Sequence, residues 1–197
     1  MNNGVRGVSR RRHVGRRTTA RGFTLIETAL ATVIIGVGVL AMISAQQAFH
    51  QKNMWSTNAS IAMRLGNEIR EMTLNLPRFD PVVGKSHWGP EENEDSLADY
   101  DDLDDFDGED GNGTVFSAAL GNGPVNARRE SISNMDGWSQ TVTVESVDPM
   151  SITEPADTNQ LDAHVSEWVR VEVIVHYQSV TDESPVEMTR VSWISRK

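Results

Sequence analysis

The side chains with the most chemistry in this sequence are carboxylates, and 12 of the 28 are gathered in one place. Residues 91–113 hold Glu91-Glu92-Asn93-Glu94-Asp95, then the run Asp99-Tyr100-Asp101-Asp102-Leu103-Asp104-Asp105-Phe106-Asp107-Gly108-Glu109-Asp110-Gly111. So many like charges repel unless water or a cation lies between them, and a flexible loop rich in oxygen ligands suits calcium. Counted from Asp105, acids fall at the first, third and fifth positions of a calcium loop: Asp105, Asp107 and Glu109. The sixth position of an EF-hand needs glycine. Here it is Asp110, and Gly111 comes one residue late. The tract therefore reads in two ways, as a solvated acidic loop or as a calcium site on Asp105, Asp107 and Glu109. Tyr100, Leu103 and Phe106 interleave with the acids, so the tract is expected to pack partly against a core.

Other chemistry finds little support. The histidines, His13, His50, His87, His164 and His176, show no metal-binding spacing. No serine sits in a Gly-x-Ser-x-Gly elbow, and no glycine-rich phosphate loop occurs. No catalytic residue is therefore assigned, and the chain is read as a non-enzyme. Trp88, Trp138, Trp168 and Trp193 are read as packing residues, with a carbohydrate-binding surface as the lesser alternative. Cysteine is absent, so neither disulfides nor thiolate metal sites contribute.

One carboxylate stands apart. Glu27 is the only charge in the 23 residues from Phe23 to Ala45. As a helix that stretch is about 34 Å long at ~1.5 Å per residue, enough for a hydrocarbon core roughly 30 Å thick. Ahead of it lie seven arginines and no acid (Arg6, Arg10, Arg11, Arg12, Arg16, Arg17, Arg21). By the positive-inside rule they stay cytoplasmic, and everything after Ala45 lies outside. Without the first 22 residues the chain keeps 11 basic against 28 acidic residues. A body that acidic repels nucleic acid, so no nucleic-acid partner is expected. An ordinary signal peptide would have a shorter apolar run and a small-x-small cleavage site, and Ile43-Ser44-Ala45 serves poorly. Arg16-Arg17 lacks the usual continuation of a twin-arginine export signal. An acid inside an apolar span is a functional residue by default and needs a partner.

The stretch Arg21-Gly22-Phe23-Thr24-Leu25-Ile26-Glu27 resembles the processing and methylation motif of the type IV prepilin and type II secretion pseudopilin family. The resemblance implies that prepilin peptidase cuts after Gly22 on the cytoplasmic side and methylates the new amine of Phe23. It implies that Glu27 pairs with that amine on a neighbouring subunit. It also implies an inner-membrane, single-pass protein with its head outside, assembled with other subunits into a type IV pilus or a periplasmic pseudopilus. The Gly36-Val37-Gly38-Val39-Leu40 run and residues 62–70 look like the minor pilin V or pseudopilin I branch. Ser44 stands where many major pilins have a kinking proline, so no kink is carried over. The alternative is a membrane-anchored extracytoplasmic protein that binds calcium or acts in adhesion.

These groups must be positioned by an anchor and a head. Ile61, Leu65, Ile69, Met72 and Leu76 form one helical stripe; Gly66 weakens it slightly, and Pro77 ends it. A helix over residues 23–76, about 80 Å long, is expected to follow a leader over 1–22 and to have its membrane segment at 23–45. Residues 77–197 form the head, including the acidic loop 91–113. Alternation marks strands at 138–147, 167–177 and 186–194, with turns at Asp136-Gly137 and Ser184-Pro185. Short connections favour antiparallel pairing. The fold class is α+β and pilin-like, a long N-terminal helix laid on a C-terminal antiparallel sheet.

Overall fold

The computed structural model describes residues 22–82, 84, 87–108, 111–151, 160–161 and 166–196. The expected leader, up to Arg21, lies outside them. Helix α1 runs over Leu25–Thr73. Among the described residues five strands follow: β1 (Thr114–Ser117), β2 (Trp138–Val147), β3 (Gln160–Leu161), β4 (Val169–Tyr177) and β5 (Val186–Ser195). The path through the sheet is β1-β2-β4-β5, with β3 paired to β2 and every pairing antiparallel. The expected α+β fold class is the observed one.

The chain divides into two units, Met1–His50 and Gln51–Lys197. In the first, every described residue from Gly22 to His50 is exposed. The helix holds a window long and apolar enough to cross a membrane, none of it buried. In the second unit α1 has a covered face, Ala62, Leu65, Gly66, Ile69, Met72 and Thr73. Successive side chains of a strand point to opposite faces. On β2 this places Trp138, Gln140, Val142 and Val144 in the core, opposite Tyr177, Val175, Val173 and Val171 of β4. Val169, Val171, Val173 and Val175 are all fully buried, each contributing about 1.5–3 kcal/mol.

Two residues set how closely helix and sheet approach. A Cβ on Gly66 would lie 2.8 Å from Val191 Cγ2 on β5, so any larger residue here would force Val191 to shift. Gln140 is fully buried. Its amide donates to the carbonyls of Leu65 (2.8 Å) and Val125 (3.1 Å), and its oxygen accepts from the Val125 N–H (2.7 Å). One side chain thus ties α1, β2 and the loop before β2, with its polar groups satisfied.

The helix stops at Thr73, three residues before the expected end at Leu76. Leu76 precedes Pro77, whose ring disfavours helical backbone at that position. The Thr73 hydroxyl donates back to the Ile69 and Arg70 carbonyls, and a turn closes from Leu76 N–H to Thr73 O.

Candidate functional site

Two constellations carry chemistry, one in each unit. In the first, Gly22 and Phe23 are exposed and lie ahead of the helix. Thr24 is the residue before its first turn. The Thr24 hydroxyl accepts from Glu27 N–H (3.3 Å), and Glu27 Oε2 accepts from Thr24 N–H (3.4 Å). This reciprocal pair is a capping box, which satisfies two of the helix's orphan donors. It also puts the carboxylate at the positive end of the helix dipole. Glu27 is therefore held at the helix start by weak, exposed hydrogen bonds that a stronger cationic donor can replace.

The second constellation lies between α1 and β1. The residues Asp104–Asp107 form a 3-10 turn whose side chains are all buried. Asp105 Oδ2 accepts from the N–H groups of Asp101 (2.9 Å) and Asp102 (3.1 Å), and Asp102 Oδ1 accepts from Asp105 N–H (3.2 Å). This mutual lock gathers acids into three overlapping groups: Asp101, Asp102 and Asp105; Glu91, Glu94 and Asp105; Asp80, Glu94 and Asp101. Within each group, one carboxylate oxygen per residue lies within 4.8 Å of the others. Glu94 Oε2 also accepts from Glu91 N–H (3.1 Å). Glu91 and Glu94 open onto a cleft of about 610 Å³ that His87, Trp88 and Tyr100 also line.

Asp107 has a different occupation. Its Oδ2 accepts from Trp88 Nε1 (2.8 Å) and its Oδ1 from Val144 N–H (3.2 Å), which fastens the turn to β2. It belongs to none of the three acidic groups. Of the residues expected to hold calcium, Asp105 sits at the centre of the nest, Asp107 is a structural tie, and Glu109 lies outside the described residues. Asp104 shares a side-chain hydrogen bond with Asp102, accepts from Gly89 N–H (3.3 Å) and acts on the buried guanidinium of Arg78. That guanidinium lies 4.1 Å from the Phe79 ring centroid and 5.9 Å from that of Trp88. Burial lowers its pKa, with Asp104 and then Glu167 opposing.

Burial also acts on the acids. It is the first cause lifting the Asp102 carboxyl to about 8, with Asp104 adding repulsion. Asp105 is likewise pushed up to about 8, first by burial and then by the charges of Asp102 and Glu94. Glu91 reaches about 7, through burial and then its neighbour Glu94. In the unfolded chain such acids ionise near pH ~4. The folded head thus keeps protons that the unfolded chain has already lost. Its stability should be greatest at the acid end of the window and fall as pH rises from about 5 to about 8. Melting temperatures of the full chain in EDTA at pH 5, 6.5 and 8 should decline in that order. A flat or rising series would mean that the acids are not crowded as described.

Compared with known protein families, characterised proteins and solved structures, the chain matches none.

Of the remaining candidates, Trp138 lies in the core and Trp88 and Trp193 pack against it. Trp138 lies 4.7 Å from Tyr177 between ring centroids, and Trp168 lies 5.2 Å from the Arg196 guanidinium carbon. His87 Nε2 is 3.1 Å from Pro90 O, and no histidine joins an acidic group among the described residues. The capping box has a plain sequence signal in Thr24-x-x-Glu27. Neither Gln140 nor Arg78 has such a signal, because only the fold shows that they are buried.

Proposed function

We propose that this chain is a minor pilin-like subunit, inserted in the inner membrane with its head outside. Prepilin peptidase cuts it after Gly22 and methylates Phe23, and it then joins other subunits in a type IV pilus or type II secretion pseudopilus. The observation that carries this reading is Glu27. It is the one charge in the 23 residues from Phe23 to Ala45, four positions beyond the amine that cleavage after Gly22 would create. In an apolar layer water competes weakly, so amine and carboxylate need each other. Such a pair gives register between subunits more than it gives stability. The exposed helix over 25–50 supports the reading, because an apolar surface with no cover among the described residues needs lipid or other subunits.

Co-expression with a prepilin peptidase tests it. The wild-type chain should yield a product shorter by 22 residues. Gly22→Val should stay at full length, because a side chain beside the cut obstructs the extended backbone in the protease cleft. Equal cleavage of both chains, or of neither, would contradict the proposal. An uncut wild type would instead favour a membrane-anchored calcium-binding or adhesion protein.

A further inference from the structure

We propose that the acidic nest is a calcium site with Glu91, Glu94, Asp101, Asp102 and Asp105 as its ligands, and that the ion clamps the connector between α1 and β1. Geometry is the first argument. Within each acidic group the ligand oxygens lie within 4.8 Å of one another. Two oxygens on one calcium ion can be no farther apart than twice the bond length, about 4.6–5.2 Å. The groups overlap through Glu94, Asp101 and Asp105, which joins them into one continuous nest.

Burial is the second and independent argument. Asp105 is fully buried, and its Oδ2 is held by two backbone N–H groups, which aims the carboxylate into the nest. Its Oδ1 meets no N–H or hydroxyl donor among the described residues and faces the Glu94 carboxylate. Glu91 Oε2 is shut from solvent in the same way. Buried oxygens without a donor are rare in folded proteins, and a cation satisfies both at once. The positive groups nearby do not. Arg129 acts on Asp101 and His87 on Glu91, in both cases weakly and from the rim. Arg129 Nη1 donates instead to the Leu97 and Ala98 carbonyls.

The ligand set also indicates which ion. Calcium takes six to eight oxygens in irregular arrangements, whereas magnesium demands a compact octahedron and keeps its waters. Five carboxylates on an irregular connector fit the first demand. The cleft lined by Glu91 and Glu94 gives the ion a way in. Once bound, it joins residues 91–94 to residues 101–105. The latter are already fastened to β2 through Asp107.

The test uses the full chain in detergent micelles, stripped with EDTA and then dialysed free of it. Calcium chloride or magnesium chloride is added at constant ionic strength and neutral pH. Calcium at about 1 mM should bind at one ion per chain by calorimetry and raise the melting temperature by about 5–10 °C. Magnesium should give less than about a third of that rise. The double variant Glu94→Gln with Asp101→Asn should show no calcium rise. It should also melt higher than wild type in the calcium-free state, because repulsion is relieved; a merely damaging change would melt lower. Glu92→Gln with Asp95→Asn removes the same charge outside the nest and should keep the full response. A wild type indifferent to calcium, magnesium matching calcium, a response surviving in the first variant, or one lost equally in the second would each overturn the site. None of these results depends on processing at Gly22.

Discussion

A chain carrying Glu27→Gln is expected to insert in the membrane, fold its head and fail to enter a filament. Glutamine at this position still reaches the Thr24 N–H, so the capping box survives. Only the charge is lost. On the proposed reading the Phe23 amine of the neighbouring subunit then sits in an apolar layer with no counter-charge. Removing one partner of a buried pair costs about 3–5 kcal/mol, roughly 100- to 4000-fold in an association constant. The sheared or cross-linked filament fraction should hold less than about one hundredth of the wild-type amount, with the membrane pool unchanged. Thr24→Ala is the matching control, because it removes the capping hydroxyl and keeps the charge. It weakens the helix start by about 1 kcal/mol, and the chain should still assemble. Assembly failing with Thr24→Ala and surviving with Glu27→Gln would make Glu27 a helix cap and nothing more.

Phe106→Ala should produce the largest loss of stability in the head. Phe106 is fully buried in the middle of the acidic connector and meets the Tyr100 ring edge-on at 5.3 Å. It belongs to the same core cluster as Leu103, Leu65 and Val144. Removing a buried phenylalanine ring costs about 3–5 kcal/mol. At about 2–4 °C per kcal/mol for a domain of this size, the melting temperature should fall by roughly 10 °C. The near-ultraviolet signal should report it directly, because Trp88 is fastened to the same turn through Asp107. A shift of under a couple of degrees would mean that the connector is not part of the core.

The interior of the sheet was legible because its signals are local. In β2 the alternation and the Asp136-Gly137 turn coincide with the observed bounds, and Gly137 has the positive φ of 77° that such a turn favours. The stripe on α1 was legible for the same reason. Leu65, Ile69 and Met72 lie on one face whatever the rest of the chain does. Strand β1 was not. It is four residues long and holds its place by pairing with residues 139–142 of β2, a contact that periodicity cannot report. Gly66 looked like a weak point in a helix and proves to be a point of close approach, visible only once Val191 is beside it.

The acidic region shows the same limit more sharply. An EF-hand frame runs forward from Asp105 and enlists Asp107 and Glu109. The fold gathers acids in the other direction, because the lock between Asp102 and Asp105 turns the chain back toward Glu91 and Glu94. Asp107 finds its partners 19 residues before it and 37 after it, separations that no linear motif contains. Interleaved Tyr100, Leu103 and Phe106 did signal that the tract is packed, and all three join the core or lie against it.

The most direct measurement for the pilin reading is the mass of the N-terminal peptide of the chain recovered from its own cell membranes. The expected peptide starts at Phe23, has lost 22 residues and bears one methyl group on its amine. A peptide still starting at Met1, or one cut near Ala45, would contradict it.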